Sequence, residues 1–287
     1  MGRTNYHIHT KYCDGSASCA EMAAAAFNAG MESIGFSSHF TTTYPDDCGI
    51  EKALIPDYLN DIQAEKRKYQ PLGMEILTGF EADYYMDTGD INPDMKRIRL
   101  GLDYIIGSIH TMGFREDGEM GIIDWKEDQF EESVCQIYGD SLGFVKAYYQ
   151  CIGDMAESVR PDIIGHLDLL KKSELVLKRN ILDLDSPACT DAAFQALERI
   201  RDSGCILELN TGGIARKKNP EFLYPSEKLI RRAAELDIPM MVNGDSHSPD
   251  AINTWYPQSD ALLASLGVKT VIRHGERGWK TVPLSES

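Results

Sequence analysis

The chain has 287 residues, 43% of them hydrophobic, which is enough to bury a sizeable core. Its formal net charge of -16 argues against a nucleic-acid partner, because the basic runs Lys171-Lys172, Arg216-Lys217-Lys218 and Arg231-Arg232 are too short and separated to form a stripe. No segment approaches the ~18 apolar residues of a membrane span and no basic start leads into an apolar run, so a soluble, cytoplasmic protein is expected.

Short β-rich runs are expected at residues 5–9, 33–38, 75–80, 104–109, 163–166, 206–210, 239–243 and 269–272. The first helix is announced by Ser18 with Glu21, a capping-box pair, then by an alanine-rich run and a stop at Gly30. Later helices are expected over residues 57–69, 144–158, 189–202 and 226–236. Residues 112–140 are less periodic and form an insertion whose Phe114, Trp125 and Phe130 suit either a lid or a peripheral packing element. With no linker or repeat to divide it, the chain reads as one domain over 1–287. Seven or eight strand–helix units favour an α/β barrel over an open sheet. The seven cysteines, odd in number and without a C-x-x-C pair, suggest reduced, mostly buried thiols.

Six of the seven histidines fall at the C-terminal end of an expected strand: His7, His9, His39, His110, His166 and His247. Asp14, Glu81 and Asp245 occupy equivalent places. In a parallel barrel every strand opens onto the same face, so these nine residues converge. Residues two apart on a strand point the same way, so His7 and His9 can share one ion, as can Asp245 and His247 if that strand stays extended. Imidazoles and carboxylates together suit zinc, iron or manganese, and nine ligands suffice for two or three divalent ions. Ions roughly 3.5–4 Å apart suit hydrolysis of a phosphate ester. His274 lies beyond the last clear strand and is expected at the surface.

These segments resemble the PHP family, the polymerase and histidinol phosphatase superfamily. The resemblance is carried by Tyr6-His7-Ile8-His9-Thr10 with Cys13-Asp14-Gly15, Gly35-Phe36-Ser37-Ser38-His39, Gly79-Phe80-Glu81-Ala82-Asp83-Tyr84 and Gly107-Ser108-Ile109-His110. It continues through Ile164-Gly165-His166-Leu167-Asp168-Leu169, Glu208 to Arg216, and Asn243-Gly244-Asp245-Ser246-His247. The match is nearest to the monofunctional histidinol-phosphate phosphatases. It implies a distorted (β/α)₇ TIM-like barrel with three ion sites. His7, His9, Glu81 and Asp245 would hold one ion; Glu81 would bridge to a second held by His110 and His166; Asp14, His39 and His247 would hold the third. Many family members have histidine where this chain has Asp14, and an oxygen ligand there shifts the preference from zinc towards iron, manganese or magnesium.

The expected activity is hydrolysis of L-histidinol phosphate to L-histidinol and phosphate. Its nucleophile would be a water held between two ions, with its pKa drawn down to about 7. The resemblance makes Arg216 a phosphate contact, and its planar fork suits two oxygens. Asn210 either positions substrate or braces its loop. Asp168 either orients a histidine ligand, donates the leaving-group proton, or caps a helix. Asp83, Glu116 and Asp124 are candidates for the substrate's amine and imidazole. Rival expectations are a PHP phosphoesterase for another small monoester or a nucleotide, a polymerase-associated nuclease, a deacylase or lactonase of the amidohydrolase type, and a non-catalytic metal-binding barrel.

Overall fold

Ser18 opens the helix Cys19–Asn28 with the capping box in place: its side chain accepts from Glu21 N at 3.3 Å, and Glu21 accepts from Ser18 N at 2.8 Å. This belongs to a computed structural model that describes residues 3–44, 48–114, 118, 120–123, 130–131, 134 and 137–284. The helix Ile55–Tyr69 buries Tyr58, Ile62, Glu65 and Tyr69, one face at helical spacing. Three further helices lie where periodicity puts them, over Ser141–Ser158, Pro187–Ser203 and Glu227–Glu235.

The strands are β1 (Arg3–Asn5), β2 (Met31–Phe36), β3 (Glu75–Tyr85), β4 (Asp90–Ile91), β5 (Tyr104–Ser108), β6 (Thr111–Phe114), β7 (Met120–Ile122), β8 (Ile163–Ile164), β9 (Ile206–Asn210), β10 (Met240–Asn243), β11 (Thr270–Gly275) and β12 (Gly278–Pro283). Seven pair in parallel in the order β1-β2-β3-β5-β8-β9-β10, and β4 adds an antiparallel edge to the far end of β3. Beyond the named strands, His9 N donates to Ser246 O at 3.0 Å and Ser246 N to His7 O at 2.9 Å, so the first and last strands meet and the sheet nearly closes. This is a seven-stranded α/β barrel. The insertion contributes the hairpin β6–β7. Its Phe130 is fully buried against Phe144, with ring centroids 5.6 Å apart, which is core packing. Phe114 is half exposed against Tyr44. Trp125, Glu116 and Asp124 lie outside the described residues.

Tyr6, Leu77, Tyr104, Ile106, Ile163, Ile206 and Met241 fill the lower interior of the barrel. Room for Tyr104 comes from two glycines: a Cβ at Gly35 or Gly79 would come within 2.4 or 2.6 Å of its ring system. The eighth expected strand is real but stands outside the barrel. β11 pairs only with β12, and this antiparallel hairpin lays Trp279 edge-on against Tyr6 at 5.1 Å and Tyr104 at 6.0 Å. His274, expected at the surface, is half-buried there: its Nδ1 lies 3.0 Å from Glu75 Oε1 and its ring meets Trp279. The hairpin thus closes the N-terminal end of the barrel.

Candidate metal centre

β3 runs past its neighbours, and Glu81 on this extension is held from both sides. Phe40 N donates to its carbonyl at 2.8 Å, and its own N–H reaches Ser37 O and Ser38 O at 3.2 Å. The side chain, 1% exposed, enters the mouth of the barrel. Its Oε2 lies 3.1 Å from His7 Nε2, 3.3 Å from His9 Nε2 and 3.1 Å from His39 Nδ1. Its Oε1 lies 3.0 Å from His166 Nε2 and 3.5 Å from His110 Nε2, and accepts from Ser108 Oγ at 2.6 Å. One carboxylate therefore faces five imidazoles from four segments of the chain.

Further out, Asp14 lies 3.4 Å from His9 Nδ1, 3.9 Å from His39 Nε2 and 3.1 Å from His247 Nε2. Asp245 Oδ1 lies 3.3 Å from His9 Nε2, 3.7 Å from His7 Nε2 and 3.4 Å from His247 Nδ1. The strand does not stay extended here: β10 ends at Asn243, and Asp245 has φ of 43°, a left-handed backbone that a β-carbon disfavours. The bend nonetheless leaves Asp245 and His247 facing one site. Gly212 allows it, since a Cβ there would come within 2.7 Å of Asp245 Cβ.

Four ligand sets can be read from atoms lying within 4.8 Å of one another: His7, His9 and Glu81; Glu81, His110 and His166; His9, Asp14, His39 and His247; and His39, Asp83 and His110. They overlap at Glu81, His9, His39 and His110. A direct test of fit is His9 Nε2, which is buried and, among the described residues, has hydrogen-bond geometry to none, although Glu81 Oε2 and Asp245 Oδ1 each lie 3.3 Å away. An imidazole nitrogen set between two carboxylates calls for a positive charge there, a proton or a metal ion, so the donors fit divalent ions. The centre holds several.

Charge follows the same logic. Burial opposes ionisation of Glu81, but His7, His39 and His110 hold its carboxyl well below the usual range. Asp245 is held well below by Arg216 and His7, and Asp14 by its hydrogen bonds from His247 and His9, both against burial. Burial alone would push His7 down, yet Glu208, Glu81 and Asp245 lift it to about 10. His9 is also raised, by Cys13 and Asp14. Burial and the neighbouring His9 push His247 down to about 4, and burial lowers His39 despite Glu81. Without metal, protons on His7 and His9 therefore do part of the work of a cation. Titrating zinc into chelated protein near pH 7 should release about two protons per chain, measurable calorimetrically in buffers of different ionisation enthalpy. Affinity should weaken as pH falls, because protons compete for these nitrogens. Zinc uptake without proton release would contradict this picture.

The other expected residues divide. Arg216, on the short helix Gly212–Lys217, reaches the mouth. Its Nη2 donates to Asp245 Oδ2 at 3.1 Å and its Nη1 lies 3.0 Å from His247 Nδ1. Asp83 also faces the mouth, with Oδ1 2.5 Å from His110 Nδ1, so it turns that ligand's Nε2 towards Glu81. Asn210 is fully buried; its Oδ1 accepts from Gly212 N and its Nδ2 donates to Glu208, which is the loop-bracing reading. Asp168 is not brought into the centre. Its Oδ2 accepts from Ser226 N at 2.9 Å and meets Lys171, and it lines a separate cavity with Tyr149 and Glu174. Proton donation from Asp168 to a group in the mouth has no geometric support. Glu208, which the sequence does not single out as a site residue, is wholly buried at the floor. A lone carboxylate inside the apolar run of β9 was the available signal.

The mouth is a cavity of about 340 Å³ whose lining includes Asp14, His39, Glu81, Asp83, His110, His166, Arg216, Asp245 and His247, with Thr42, Cys48 and Lys172. Fold and donor set together define a TIM-like α/β barrel that holds several divalent ions at its C-terminal mouth. The chain belongs to the PHP domain family, whose model matches residues 5–212. It is 29% identical over 280 residues to a Deinococcus radiodurans protein named probable histidinol-phosphatase, covering 95% of this chain and 97% of that one. The hisK protein of Listeria monocytogenes superposes with a TM-score of 0.76 at 22% identity, covering 89% of this chain and 99% of that one. Histidinol phosphate phosphatase from Lactococcus lactis, solved with zinc, L-histidinol and phosphate, superposes with a TM-score of 0.69 at 16% identity, covering 97% and 98%.

Proposed function

We infer that the chain is a metal-dependent phosphomonoesterase that hydrolyses L-histidinol phosphate to L-histidinol and phosphate. The observation that carries this reading is Glu81 shared between two sets of imidazoles, with Arg216 at the edge of the same cavity. The name of the Deinococcus relative supports the substrate. When bound, the ions supply Lewis acidity and lower the pKa of water. The chain's own contributions are separate. Arg216 offers N–H donors to two phosphate oxygens, and Lys172 adds a second cationic side chain to the cavity lining. Asp83 and Glu208 hold His110 and His7 by their Nδ1 atoms. The fully buried His7 and His9 form a floor that excludes water from below.

The reading takes residues 1–287 as one domain, supported by His247 of the outer ligand set and Asp245, 3.3 Å from His9 Nε2, both lying beyond the matched span. A cytosolic setting is in keeping with the free thiols of Cys19, Cys151, Cys189 and Cys205. No helix among the described residues is long and apolar enough to cross a membrane. A second reading, another small phosphate monoester, is favoured by one observation: Asp83 is already engaged by His110, which leaves it a poor dedicated partner for an imidazole. The test is phosphate release from L-histidinol phosphate, p-nitrophenyl phosphate and a nucleoside monophosphate by protein purified without chelator. A kcat/KM about 10²-fold higher for histidinol phosphate, near 2.7 kcal/mol of discrimination, is expected. Equal, feeble rates on all three would remove the substrate assignment and leave the metal centre.

A further inference from the structure

Glu208 stands at the centre of β9, wholly buried beneath the metal centre. Its Oε2 accepts from His7 Nδ1 at 2.8 Å and from Asn243 Nδ2 at 2.9 Å. Its Oε1 accepts from His166 N at 3.1 Å and from Asn210 Nδ2 at 2.8 Å. The two amides cannot turn round: Asn243 Oδ1 accepts from Tyr6 N and Asn210 Oδ1 from Gly212 N. Their NH₂ groups therefore face Glu208, the backbone of His166 has only a proton to offer, and three of the four partners are fixed donors. The fourth, His7 Nδ1, must donate as well to complete the set. That leaves His7 Nε2 as the nitrogen aimed at Glu81.

We propose that Glu208 is a positioning residue that locks His7 in the Nδ1–H tautomer and joins it to His166, so that the two inner ligand sets, which share Glu81, fill together. This rests on the reading that the cluster holds divalent ions. It makes no reference to the substrate. An isosteric Glu208→Gln brings one NH₂ group into a nest of donors. Facing His166 N and Asn210, it would oppose groups that cannot respond. Facing His7, it can be accommodated by moving the imidazole proton from Nδ1 to Nε2, which removes the nitrogen a metal needs. The outer set of His9, Asp14, His39 and His247 includes none of the residues hydrogen-bonded to Glu208, namely His7, His166, Asn210 and Asn243, and should be least affected.

The test is titration of chelated wild-type and E208Q protein with Zn²⁺, and with Co²⁺ followed by its visible absorption. The circular dichroism of both chains shows whether each is folded. E208Q should bind the inner ions ~10–100-fold more weakly while retaining the outer one. Glu208→Asp, still an acceptor only, should bind more tightly than E208Q, and it supplies the readout if E208Q does not fold. Wild-type stoichiometry and affinity in E208Q, or equal losses in E208D and E208Q, would overturn the proposal. A wild-type chain that loads its metals but does not turn over histidinol phosphate would instead overturn the substrate assignment and leave this role intact.

Discussion

Glu81→Gln should lower kcat/KM for histidinol phosphate by about 10³-fold or more, a loss above ~4 kcal/mol of transition-state stabilisation. The side chain keeps its volume and the backbone bonds that fix its strand, so folding should survive. What changes is the second oxygen. Glu81 turns Oε2 to His7, His9 and His39, and Oε1 to His110, His166 and Ser108. An amide serves one group of donors and presents hydrogens to the other, so it cannot bridge two ions. Metal analysis alongside steady-state kinetics decides the matter: the variant should hold at least one ion fewer than wild type. Full metal content with a rate within tenfold of wild type would show that Glu81 does not bridge.

Arg216→Ala should cost about 10²–10³-fold in kcat/KM, the scale of removing one preorganised donor from a charged transition state. Five carboxylates gather here, Asp14, Glu81, Asp83, Glu208 and Asp245, one more than the sequence suggested. Two divalent ions leave one of these negative charges uncompensated, and Arg216 cancels it. A third ion turns the site positive and welcoming to a phosphate dianion. Removing Arg216 should therefore raise KM and the inhibition constant of inorganic phosphate together. Arg216→Lys should recover only part of the loss, because a point charge does not replace the fork. Because Arg216 also touches His247, metal content must be shown to be unchanged. An alanine variant with wild-type phosphate inhibition would remove Arg216 from the binding site.

The barrel and the gathering of histidines and carboxylates at its mouth were legible for a shared reason. Apolar strand runs ending in histidine or carboxylate mark both the element and its open end, so His39 and His110 could be assigned to one face without any contact being known. Direction within a turn was not legible. Asp168 follows His166 by two residues, but the chain turns after β8 and carries the carboxylate to Ser226. Nor could spacing show that Asp245 adopts a left-handed backbone, which depends on the space left by Gly212. Glu208 was hidden because its role lies in contacts with residues far along the chain. β11 has the composition of a barrel strand, and only its pairing with β12 excludes it.

That hairpin has a consequence for traffic. With Trp279 set against Tyr6 and Tyr104, the vessel has a floor among the described residues, and the cavity lined by Arg216 and the ligand cluster lies at the other end. In the proposed reaction, phosphate beside Arg216 and the alcohol released from it must leave the way the next substrate arrives. Turnover then becomes a matter of queueing at one door, in which the order of departure counts as much as the speed of bond cleavage.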